Sequence, residues 1–174
     1  MAVRTLRKEY PNLNLPDELF AIAEDIAKKL GKEVERMRFT KPLLLACLYA
    51  AARTSGYPLR LKSLQKLTGV SKKTIVRHHR LIVRRLGLAE KPPDPKLFVK
   101  KFCKELGLPK EVEREASSLV ELDGPNLAPA IAAGAVFFSA RRRGFSLERE
   151  RVVRLAEISE PTLTKWVRFF EERV

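Results

Sequence analysis

Several things are scarce or missing in this 174-residue chain, and each absence narrows what it can be. The longest apolar run, around Leu43–Ala52, falls well short of the ~20 residues that cross a bilayer. The first ten residues, Met1 to Tyr10, contain no apolar core of a secretory leader. The expected location is therefore inside the cell, in the cytoplasm with the nucleoid, and no membrane partner is expected. Only two cysteines occur, Cys47 and Cys103, each among apolar neighbours and neither in a Cys-x-x-Cys pair. They read as two reduced core thiols, because disulfides are rare inside cells. The two histidines, His78 and His79, are adjacent, and adjacent helical residues point in different directions, so no metal site is expected. No glycine-rich phosphate loop follows a strand, and no nucleophile has a histidine base outside one basic helix. The sequence therefore predicts neither an enzyme nor a cofactor.

Acidic side chains are missing where it matters most. Residues 1–35 hold 6 basic and 7 acidic groups, and residues 90–174 hold 16 and 14. Residues 36–89 hold 13 basic groups and not one Asp or Glu, which accounts for nearly all of the formal net charge of +14. A solvated surface intersperses signs, whereas a one-signed block sets up a field that draws polyanions. Nucleic acid is the leading partner, with an anionic membrane surface as the alternative.

What is present is helical throughout. Apolar positions recur at helical spacing, and no segment alternates between hairpin turns, so an all-α fold is expected. Pro16 opens a helix that Gly31 is expected to close. Thr40 caps an apolar helix to about Ser55, ended by Gly56. A short helix over Leu61–Thr68 leads through Gly69-Val70-Ser71 into a helix from Lys72 to Leu86, stopped by Gly87. After the linker Glu90–Pro95, Asp94 caps a helix that starts at Pro95 and stops at Gly107. Helices are then expected over Pro109–Glu121, Asn126–Arg142, Leu147–Ala156 and from Glu160, capped by Ser159.

These elements repeat. A shift of 88 pairs Arg53 with Arg141, Gly56 with Gly144, Leu59 with Leu147, Leu67 with Leu155, Ser71 with Ser159, Thr74 with Thr162, and Arg80 with Arg168. Upstream, Leu15–Glu18 (LPDE) matches Leu108–Glu111 (LPKE) at a shift of 93. Two domains are expected, 12–90 and 91–174.

Each repeat ends in a short helix, a tight turn and a longer helix, the pattern in which the second helix can enter a major groove. In the first copy Ile75, His79, Ile82 and Leu86 form the inward face. Lys73, Arg77, Arg80 and Arg84 fall on the opposite face, joined by Lys72 near the start. With no acidic neighbour, that face is expected to contact duplex DNA, mostly at phosphates. In the second copy Leu163, Trp166, Val167, Phe170 and Val174 form the inward stripe, with Trp166 as a core residue. Thr162, Lys165 and Arg168 are left as DNA-facing groups.

Ala46–Arg53 (ACLYAAAR), Val70–Ile82 (VSKKTIVRHHRLI) and Phe102–Ala116 (FCKELGLPKEVEREA) together resemble the core of the transcription factor IIB family and its archaeal counterpart, transcription factor B. The resemblance runs from about Leu15 to Val174. It implies two tandem five-helix cyclin-like repeats, each ending in a helix-turn-helix, in a promoter-binding initiation factor. It also implies a TATA-binding protein and double-stranded promoter DNA as partners, with RNA polymerase as a further one. By position, the helix that reads an upstream element in the family places Pro161, Thr162, Thr164, Lys165 and Arg168 at the DNA. An arginine usual in the family falls at Thr164 and a small aliphatic at Pro161, so this copy departs from the pattern there. Family members also carry a zinc ribbon and a linker reaching into polymerase, for which these 174 residues offer no counterpart. An excised core and a natural short paralogue both remain open. Two further readings of the residues stand beside this one: a cyclin-type module docking an acidic protein, and an unrelated regulator with two helix-turn-helix domains.

Overall fold

A computed structural model describes residues 3–121 and 128–174. Every element among the described residues is helical, and the chain divides into two compact units, Met1–Pro92 and Pro93–Val174. None of these helices is long and apolar enough to cross a membrane.

The first unit contains α1 (Thr5–Glu9), a 3-10 turn (Pro11–Leu13), α2 (Asp17–Glu33), α3 (Lys41–Ser55), α4 (Leu61–Thr68) and α5 (Lys72–Leu86). Helix α3 is its axis. It is apolar on every side, burying Leu43, Leu44, Leu45, Cys47 and Leu48 among others, and it packs against α2 and α5. A helix that is apolar all round has to be surrounded. Val3 and Leu6 are fully buried in the same core, upstream of residue 12, where the sequence reading starts this domain.

The second unit contains α6 (Pro95–Leu106), α7 (Lys110–Leu119), α8 (Ala128–Arg142), α9 (Arg149–Ala156) and α10 (Glu160–Glu171). Helix α8 takes the central role here and packs against α6, α7, α9 and α10. The expected start of its helix at Asn126 lies outside the described residues. Both cysteines are free and buried, in α3 and α6. Burial pushes the Cys47 thiol up to about 12 and the Cys103 thiol up to about 11, so both stay protonated.

The helix stops follow backbone chemistry at most predicted points. Gly56, Gly69, Gly87 and Gly107 all take left-handed φ, between 58° and 74°, just past a helix end. Gly31 does not. Helix α2 runs on to Glu33, Val34 N–H still bonds to Leu30 C=O at 3.0 Å, and the left-handed turn comes at Arg36 (φ 58°). Gly31 instead faces Phe39, whose ring lies 3.5 Å from where a Cβ would sit. Two smaller corrections concern the second unit. Helix α9 begins at Arg149 rather than Leu147, because Glu148 is still extended (φ −72°, ψ 124°). Val174 is 58% exposed rather than part of the inward stripe, since α10 ends at Glu171.

One glycine sets how closely two helices meet. A Cβ on Gly134, in α8, would lie 2.5 Å from Trp166 Cβ and 3.2 Å from the Trp166 carbonyl carbon in α10. No side chain fits between them, so α8 and α10 would have to separate. Gly134→Ala is therefore expected to destabilise the fold by about 1–3 kcal/mol, the usual penalty of overpacking. Gly31→Ala, in an ordinary helix with ordinary contact distances, is expected to stabilise it by about 0.5–1 kcal/mol. Denaturant midpoints of the two variants check both signs, and an unchanged midpoint for Gly134→Ala contradicts the close approach.

Candidate nucleic-acid interface

The site begins with a short turn that holds α4 against α5. Gly69 N–H bonds to Gln65 C=O at 2.9 Å, and Thr68 Oγ1 donates to Leu64 C=O at 2.7 Å while accepting from Val70 N–H at 3.3 Å. The Gln65 side chain then accepts from Lys72 N–H at 3.1 Å, satisfying one of the free amides at the start of α5. Ser71 caps the helix, its Oγ accepting from Thr74 N–H at 3.2 Å. Every bond in the turn is local, so the angle between α4 and α5 is set by a few side chains.

From that start, the 3.6-residue period decides which way each side chain points. Ile75 and Ile82 are fully buried and His79 is buried. Lys72, Lys73, Arg77, Arg80 and Arg84 are all exposed. Among the described residues none of these five takes part in an ion pair. The nearest acid along the chain, Glu90, is engaged elsewhere. Its Oε1 lies 3.3 Å from Arg53 Nε and 3.0 Å from His79 Nε2, on the side of α5 that faces α3. Lys91 N–H bonds to Arg53 C=O at 2.8 Å and anchors that stretch of chain. The outward face of α5 thus keeps its full positive charge. In the sequence Glu90 reads as linker, because its partners lie 37 and 11 positions away and no local spacing reveals them.

The second unit builds the same turn with other residues. Glu157 takes the left-handed conformation (φ 51°) where the first turn has Gly69 (φ 74°). Ser159 Oγ accepts from Thr162 N–H at 3.3 Å, as Ser71 does from Thr74. Leu163, Trp166, Val167 and Phe170 are buried, so Trp166 is a core residue.

The candidate contacts of this copy fare unequally. Pro161, Thr164, Lys165 and Arg168 are exposed. Thr162 is half-buried, and its hydroxyl lies 2.7 Å from Ser159 Oγ within the cap. Thr164 Oγ1 accepts from Arg149 Nη2 at 2.6 Å. The Lys165 ammonium sits 5.7 Å from the centre of the Trp166 ring. Acids also enter this helix: Glu160 and Glu172 stand where α5 has Lys72 and Arg84. Residues 72–86 carry six basic and no acidic groups, whereas residues 160–174 carry three of each. The two turns match in form and differ in field. Among the described residues no group of three or more His, Cys, Asp or Glu gathers as a metal cage.

No family model matches the chain. It is 33% identical to transcription initiation factor IIB 2 of Haloferax volcanii over 87% of its own length and 48% of that protein. The corresponding figures are 30%, 87% and 48% for transcription initiation factor IIB of Archaeoglobus fulgidus. They are 28%, 93% and 55% for transcription initiation factor IIB 2 of Thermococcus kodakarensis. Over this region the chain is homologous to archaeal transcription initiation factor IIB proteins. It spans about half the length of the relatives it matches.

The histidines generate a pH prediction. Burial holds the His79 imidazole below its ordinary value of 6.5, against the opposing pull of Glu90 and with Arg53 and Arg80 adding to the decrease. Tyr49 covers its ring edge-on at 4.9 Å. Burial and Arg77 lower His78 as well. The unfolded chain therefore takes up protons at a higher pH than the folded one. Stability is complete above about 6.5 and declines as pH falls through that value towards the folded pKa. The melting temperature should drop between pH 7.5 and pH 5.5, and the drop should shrink in His79→Gln. A rise on acidification contradicts the assignment.

Proposed function

We propose that this chain is the DNA-gripping core of a transcription initiation factor and works without catalysis. The observation that carries the proposal is the outward face of α5: exposed Lys72, Lys73, Arg77, Arg80 and Arg84, unneutralised, on the second helix of a capped helix-turn-helix. That helix is the one which lies in a major groove in proteins of this design. The relatives, each a transcription initiation factor IIB, support the same role. In this reading each unit is one cyclin-like repeat. Helix stops and caps 88 positions apart, at Gly56 and Gly144 and at Ser71 and Ser159, support the repeat.

The first unit supplies most of the affinity, through phosphate contacts that release counterions and so weaken with salt. The second unit adds Lys165 and Arg168 together with the exposed edge of Thr162 and Thr164, on a helix of zero net charge. Its grip on duplex is correspondingly weaker. The partners of this function are double-stranded promoter DNA and a TATA-binding protein, with RNA polymerase reached through the assembled complex. A TATA-binding protein bends DNA by ~80° and adds its own surface, so the bent complex offers more contacts than straight duplex.

Changing Lys73, Arg77 and Arg80 together to Ala is expected to weaken binding to every duplex alike. Because each lost phosphate contact lowers the salt slope by about 1, the triple variant should lose about 3. An unchanged affinity and slope contradict the assignment of this face to DNA. Free duplex should bind with a dissociation constant of roughly 10⁻⁴–10⁻⁶ M at physiological salt, the range of non-specific contact. A preformed complex of TATA-binding protein and promoter should bind on the order of 10²–10⁴ times more tightly, the gain typical of linked contacts. Equal affinity at equal salt contradicts the initiation role and leaves a general DNA-binding protein.

A further inference from the structure

The outward face of α10 carries a guanidinium that α10 itself does not supply. Arg149 is the first residue of α9, and it reaches across to the start of α10. Its Nε donates to Glu160 Oε2 at 3.0 Å, and its Nη2 donates to Thr164 Oγ1 at 2.6 Å. Its Cζ lies 5.3 Å from the centre of the Phe137 ring, which α8 holds in the core. Three groups from two helices thus hold one side chain in place, yet it stays 38% exposed. A guanidinium has five N–H donors in a rigid fork, and these two bonds leave several of them free. Glu160 and Thr164 also line a shallow groove along α10 together with Lys165 and Arg168.

We infer that Arg149 is a further nucleic-acid contact of the second unit, a pre-oriented fork that takes a backbone phosphate of the duplex lying along α10. The inference rests on the DNA-binding reading above and adds a residue to it. A planar guanidinium fixed at Nε presents its remaining N–H groups in the parallel geometry that two phosphate oxygens accept. Glu160 orients the fork and at the same time opposes the arriving phosphate. The shift of 88 that aligns the two copies places Leu61 opposite Arg149, so the first unit has no equivalent. The second unit, whose long helix is neutral overall, thereby gains a cation from its short helix.

Three variants of the full chain separate a contact from a mere staple between α9 and α10, because Arg149→Ala and Glu160→Gln remove the same ion pair. Duplex binding is measured by fluorescence anisotropy over a salt series, with a melting curve for each variant. Arg149→Ala should weaken binding several-fold and lower the salt slope by about 1. Arg149→Lys should keep the slope but recover only part of the affinity, since an ammonium lacks the fork. Glu160→Gln should tighten binding, because its amide oxygen can still accept from Nε while the negative charge is removed. If Arg149→Ala and Glu160→Gln both weaken binding, or if Arg149→Ala lowers only the melting temperature, Arg149 is a staple and the inference is overturned. If the wild-type chain and the Lys73/Arg77/Arg80 triple variant bind duplex equally, the DNA reading itself fails, whatever Arg149 does.

Discussion

The burial of one face of α5 against α3 is the constraint from which the rest of the first unit follows. Ile75, His79 and Ile82 must face inward because α3 offers an apolar surface on every side. The 3.6-residue period then leaves Lys73, Arg77, Arg80 and Arg84 no direction but outward. Charge repulsion along such a face is tolerated because the buried stripe holds the helix in place and water screens the exposed heads. What keeps the face cationic is composition, since the 54 residues around it contain no acid. Glu90, the first acid to follow, lies against Arg53 and His79 on the packed side.

The second unit solves the same packing problem with different side chains. Here α8 is the surrounded helix, and Gly134 lets Trp166 of α10 approach where a Cβ on α8 would clash. The exposed face of α10, however, mixes Glu160 and Glu172 with Lys165 and Arg168, so this helix presents far less field. The two units thus present surfaces of different electrostatic character. In the proposed function that difference divides the labour: a broad phosphate grip in the first unit, and a weaker contact set in the second.

Much of this was legible in the sequence because local chemistry decides it. Left-handed glycines past helix ends, serine caps and the two faces of α5 all depend on residues within a turn or two of one another. The failures have the opposite origin. Gly31 looked like a stop, but Phe39 packs against it and α2 continues. Helix α1 went unread because five residues carry too little periodicity, although Val3 and Leu6 reach the core. Thr164 is placed at the DNA only by the family resemblance, and its hydroxyl is held by Arg149 from α9. The partners of Glu90 and Arg149 lie between 11 and 37 positions away, and such pairs appear only once the helices are packed.

In the proposed function, duplex DNA meets the outward face of α5 before any other surface of the chain. Backbone amide chemical shifts, followed by nuclear magnetic resonance during a titration with a short duplex at moderate salt, test it most directly. The largest changes are expected between Lys72 and Arg85, with smaller ones in α9 and α10 and almost none in α2. Shifts concentrated in α2, or spread evenly over both units with α5 unchanged, would contradict it.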